Sequence, residues 1–226
     1  MVNLLNILLQ VIDEPQVQSQ SLNLFDLILK GGIIMIPIFL LSFLSIYIMF
    51  ERYTFIRKAG KIDKSFMQNI KQALHKGQAQ EALELCRKLD SPIAHVIEKG
   101  IQRIGLPIKD IQDEIQTVGS IEMSKMENKL AYLGLVAGTA PMLGFIGTIM
   151  GIIKIFYNIS LSDNISIGII AGGLYEKMIT SCAGLIVGVV AYTGYHFLNM
   201  MIDKFALQVE ITASEFIDLL REPIKK

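Results

Sequence analysis

Glu176 and Lys177 lie about ten residues inside the apolar stretch 165–202, where an ionisable side chain costs at least a few kcal/mol and faces protein or a watery path. Desolvation disfavours the charged form of such a carboxyl, which suits it to holding and releasing a proton. Steps of four from Glu176 give Thr180, Gly184 and Gly188, so the acid shares a helix face with small residues. Lys177 is turned about 100° from it on a helix, which makes it a candidate countercharge but not an obligatory one. A Glu–Lys pair used only for packing is the plainer reading of the same residues.

A second run of small residues accompanies the first. The stretch 130–157 carries Gly134 and Gly138, Gly144 and Thr148, and Gly147 and Gly151 at small-xxx-small spacing, which lets helix backbones approach closely. Pro141 loosens the backbone among them. Such spacing is common in membrane helices simply as packing. Two long helices rich in small residues, one with an embedded acid, say more. Lys154 sits near the end of its stretch and can snorkel to the interface.

The elements that hold these residues follow from hydropathy and charge. The chain of 226 residues is 52% apolar and only 19% charged, with the apolar excess concentrated in 31–50, 130–157 and 165–202. Each stretch is long enough to cross a hydrocarbon core of roughly 30 Å. Pro37 inside the first leaves a carbonyl for neighbouring helices to satisfy. Residues 1–30 hold one basic residue, 51–129 hold fourteen, 158–166 none and 203–226 four. The excess of lysine and arginine on the cytoplasmic side predicts an outside N-terminus and an inside C-terminus. The expected segments are an outer amphipathic stretch 1–30, spans 31–50, 130–157 and 167–202, a cytoplasmic helical region 51–129, an outer turn 158–166 and a cytoplasmic helix 203–226. The fold class is all-α: an integral membrane protein with three transmembrane helices, two of them extending far into the cytoplasm.

The polar segments read as helical too. Ser91 before Pro92 is an N-cap with proline at the first helical position. After Pro107, Ile108, Ile111, Ile115 and Val118 keep helical spacing, and no proline follows until Pro141, which predicts one unbroken helix running into the second span. Leu198, Ile202, Phe205, Val209, Thr212, Phe216 and Leu219 alternate steps of four and three. Such a stripe must pack against the cytoplasmic helices or a neighbouring subunit, and Pro223 stops it. Residues 4–12 read as an amphipathic surface helix ended by Pro15; they lack the basic flank of a signal peptide. Cys86 and Cys182 sit in different environments and read as free thiols. The three histidines show no ligand spacing, and zero net charge gives no electrostatic case for nucleic acid.

Thr139 to Phe156, with Pro141, Gly144, Gly147, Thr148, Gly151 and Phe156 in place, resembles the second-helix signature of the MotA/TolQ/ExbB proton-channel family. Gly172 to Gly188, with Glu176, Ser181 and Gly184, is similar to its third-helix signature. The three-span plan matches the ExbB and TolQ branches over almost the whole chain; MotA proteins have four spans and fit less well. The resemblance implies a homopentamer whose second and third helices line a pore around an ExbD- or TolR-like single-span partner with an essential aspartate. Glu176, Thr148 and Ser181 match the family's pore-lining positions. Thr180 joins them as a candidate through its place on the Glu176 face. Lys177 departs from the small apolar residue common at its position. Work would pass through a periplasmic, TonB-like partner to the outer membrane, with the bacterial inner membrane as the chain's location, protons as the transported ion and no cofactor. A TolQ-like role in outer-membrane maintenance and a scaffold with no ion path are the alternatives. No nucleophile–base pair or nucleotide loop points to an enzyme.

Overall fold

Helix-forming periodicity and the three apolar runs account for the architecture directly. The structure, a computed structural model, describes residues 31–60, 65–89, 91–161 and 167–221, the side chains of Ile169 and Glu176 excepted. The amphipathic 1–30 segment, most of the 158–166 turn and the stop at Pro223 lie outside the described residues. These form seven helices: α1 Met35–Ala59, α2 Ser65–His75, α3 Ala79–Leu89, α4 Pro92–Gln102, α5 Ile108–Glu127, α6 Leu130–Ser160 and α7 Ile167–Arg221. Three helical runs are long and apolar enough to cross a membrane. The protein is a multi-pass membrane protein, and exposed Phe39, Phe43, Tyr47 and Phe50 of α1 suit contact with lipid.

Pro37 falls in the first turn of α1, not in its middle. A helix leaves its first amides without intrahelical partners, so proline there removes nothing. The Ile33 carbonyl accepts from the amide of Ile36 at 3.2 Å. No neighbouring helix is needed to repair the span.

The second span is not entered by one unbroken helix. The α5–α6 run is interrupted at Asn128 and Lys129, and Lys129 adopts the left-handed conformation at φ 72°. A lysine there is uncommon and is held by its surroundings. Its Nζ pairs with Glu51 Oε1 at 2.7 Å, and Arg52 bonds the same oxygen at 2.8 Å. Arg52 Nη1 also donates to the Lys125 carbonyl at 3.4 Å, an acceptor that loses its i+4 donor at the break. Lys129 and Arg52 together hold the Glu51 carboxyl below the usual range.

The stripe on α7 packs within its own chain. The helix runs unbroken for 55 residues, about 80 Å at 1.5 Å per residue. Leu198, Ile202, Phe205, Val209, Phe216 and Leu219 are all buried. Gly119 brings α5 close to Val209, at 3.7 Å from a notional Cβ. At Gly100 of α4 a Cβ would sit 2.6 Å from the Phe216 ring and 2.9 Å from Ile115. Glycine makes room there for the largest fully buried side chain of the polar arm. Phe216→Ala is expected to cost about 3–5 kcal/mol, read as a lower melting temperature of the purified protein.

The small layer of α3 and α4 is ordered by the same means. Ser91 Oγ accepts from the Ala94 amide at 3.2 Å with Pro92 at the first position, as their pairing predicts. Cys86 is fully buried between these helices. Burial, with a smaller contribution from Glu98, pushes its thiol up to about 12. With so little thiolate near neutral pH, maleimide at pH 8 should leave Cys86 unmodified until the protein is denatured. Intact mass on a Cys182→Ser background reads the result; rapid labelling of the native protein would contradict this packing.

Candidate functional site

The helix pair that carries the sequence's chemistry is α6 and α7, packed antiparallel along a seam of glycines. At Gly144 a Cβ would lie 3.1 Å from the Cα and carbonyl oxygen of Ser181. At Gly184 it would meet the Ala140 carbonyl oxygen at 2.6 Å and Gly144 Cα at 2.9 Å. These are backbone-to-backbone contacts, which only glycine permits. Gly188 lies under the Pro141 ring, and the Ala137 carbonyl is 3.2 Å from its notional Cβ. Proline at position 141 leaves that carbonyl without its helical donor, and Gly188 makes room for the ring beside it.

Side chains fill the remaining notches. A Cβ at Gly147 would lie 2.8 Å from the Thr180 methyl, and one at Gly134 3.5 Å from the Tyr195 ring. The stem of Lys177 crosses Gly151. Gly138 stands apart: a Cβ there would meet nothing within 4 Å. Its spacing from Gly134 suggests a packing pair, but within the protomer Gly138 is not part of the seam.

The hydroxyls divide into two kinds. Thr148 is half-buried and donates to the Phe145 carbonyl at 2.6 Å. Ser181 is also half-buried, with its backbone against Gly144, one turn along α6 from Thr148. Thr180 is wholly enclosed and donates to the Gly31 carbonyl at 3.0 Å. Within the protomer Thr180 therefore packs where three spans meet. A helical wheel gives its face but not what covers that face.

Sequence reasoning missed Gly31 and Gly173. Gly31 is buried four residues before α1, where a Cβ would lie 3.3 Å from Thr180 Oγ1. Its signal was the Gly31–Gly32 doublet at the head of the first span. At Gly173 a Cβ would sit 2.6 Å from Ile155 Cδ1. That pairing has no signal on one helix alone, because the partner comes from the facing one.

Glu176 lies in the helical backbone of α7, between Gly173 and Lys177. This turn is level with the start of α1, and α6 continues from Gly151 to Ser160, about 14 Å farther. Among the described residues Lys177 makes no ion pair; its Nζ reaches to 3.9 Å from a notional Cβ on Gly32. The arrangement sets the backbone of Glu176 on a close-packed helix pair that also carries the Thr148 and Ser181 hydroxyls. No cluster of His, Cys, Asp or Glu able to hold a metal occurs among the described residues.

Comparison with known proteins identifies the family to which these helices belong. Residues 88–211 match the MotA/TolQ/ExbB proton channel family. An ExbB homolog of Methanothermobacter thermautotrophicus is 27% identical over 196 residues, 84% of this chain and 69% of that protein. Biopolymer transport protein exbB1 of Vibrio cholerae is 24% identical over 186 residues, 80% and 81% of the two chains. The Tol-Pal system protein TolQ of Haemophilus influenzae is 28% identical over 97 residues, 43% and 41% of the two. The family match covers α4, α5, α6 and most of α7, including the whole glycine seam. With more than half its length inside that match, the chain belongs to the MotA/TolQ/ExbB proton channel family.

Proposed function

We propose that this chain is the proton-channel stator subunit of an energy-transducing complex in the bacterial inner membrane. Five copies surround an ExbD- or TolR-like single-span partner, with α6 and α7 lining the pore, the N-terminus periplasmic and the C-terminus cytoplasmic. Glu176 binds or relays the proton, and Thr148 and Ser181 supply hydroxyls that donate and accept hydrogen bonds. The partner's intramembrane aspartate completes the path. Movement of one component within the other passes through a TonB-like transducer to outer-membrane import.

The observation that carries this reading is the close-packed α6–α7 seam beside the turn that bears the one glutamate of the third span. An acid at such depth is expensive, and its backbone belongs to the close-packed helix pair. Complementation tests the proposal. Cells lacking the chain should lose transport that depends on proton motive force. Glu176→Ala should fail to restore it while the oligomer still assembles; restored transport would refute the role. The TolQ similarity supports a second reading, envelope maintenance. That reading is favoured if deletion leaves TonB-dependent uptake intact and makes the outer membrane leaky.

A further inference from the structure

We propose that Lys177 is a positioning residue of the proton path, whose aliphatic stem rather than its charge sets the α6–α7 spacing beside Glu176. This rests on reading Glu176 as the proton-binding group. Gly151 is buried, and a Cβ there would overlap the Cγ, Cδ and Cε of Lys177 together. The methylenes therefore occupy the notch that the missing side chain leaves. The ammonium is carried past the seam toward Gly32, just before α1, where it lies 3.9 Å from a notional Cβ. The contact that Lys177 makes with α6 is thus made by its carbons, as a long amphipathic side chain allows.

The same device recurs on the other side of the glutamate. Ile155 of α6 fills the notch at Gly173 of α7, and Lys177 of α7 fills the notch at Gly151 of α6. The backbone of Glu176 thus lies between two knob-and-notch pairs of opposite sense. One turn farther along, the Thr180 methyl fills Gly147, and its hydroxyl ties Gly31. Removing one knob loosens the turn that positions the acid, without touching the acid itself.

The test separates stem from charge in the full complex, in membrane vesicles energised by a pH step. Proton flux is measured alongside the spin-label distance between Met150→Cys and Met178→Cys, both exposed, on a Cys182→Ser background. Lys177→Met keeps the stem and drops the charge; flux should stay within about twofold of the parent and the distance should not change. Lys177→Ala empties the notch; flux should fall by roughly tenfold or more, as for other small misplacements of reacting groups, and the distance should shift or broaden. Gly151→Ala alone should do likewise, and Gly151→Ala with Lys177→Ala should recover much of the flux. Loss of flux in Lys177→Met equal to that in Lys177→Ala would overturn the proposal in favour of a charge role. Full flux and an unchanged distance in Lys177→Ala would overturn it outright. Should Glu176→Gln keep full flux, the proton-site reading fails instead, and the distances still decide the clamp.

Discussion

Gly184→Val should remove the folded protein almost completely, as loss of the assembled species on native gels and collapse of its melting transition. A side chain at this position points at backbone: the Ala140 carbonyl oxygen at 2.6 Å and Gly144 Cα at 2.9 Å. Overpacking a core typically costs about 1–3 kcal/mol, and more where neighbours cannot change rotamer. Here the two longest helices of the membrane region would have to separate along their whole seam. Gly138→Ala is the matched control, because nothing lies within 4 Å of its notional Cβ. Its melting temperature should stay at the parent value. Equal damage at both positions would mean that α6 and α7 do not pack as described.

Glu176→Gln should abolish proton flux while leaving melting temperature and oligomer size unchanged. Glutamine keeps the shape and hydrogen-bonding capacity of the side chain but cannot take up and release a proton under these conditions. A scaffold that uses Glu176 only for packing would tolerate this change. A channel that uses it as a proton site would not. Thr148→Val and Ser181→Ala should each reduce flux without ending it, since each removes one hydroxyl and leaves the acid.

The three spans, the α7 stripe and the Ser91 cap were legible because each is written in local periodicity or in adjacent residue types. The α7 stripe left two partners open, and only the fold chose the chain's own helices. The break at Asn128 and Lys129 was hidden for a clear reason. It contains neither proline nor glycine, and it is held by Glu51 and Arg52, more than seventy residues away. The glycine seam was half legible: spacing identified small-residue faces on both helices but not their register. The spacing of Gly138 from Gly134 suggests a packing pair that the protomer does not form, and the helical face of Thr180 does not reveal the Gly31 carbonyl its hydroxyl meets. Both depend on what stands opposite, which a single helix does not encode. Lys177 was the plainest gap, since its partner in the structure is an absence, the missing side chain of Gly151.

In the proposed function, protons pass along the α6–α7 wall by way of Glu176. Proton uptake into proteoliposomes holding the purified complex, driven by an imposed pH step and a potassium-diffusion potential, measures this directly. The parent complex should show flux, and Glu176→Gln, reconstituted at equal density and with equal oligomer size, should fall to the level of empty liposomes. Parent-level flux through Glu176→Gln would show that protons do not pass by way of this carboxyl.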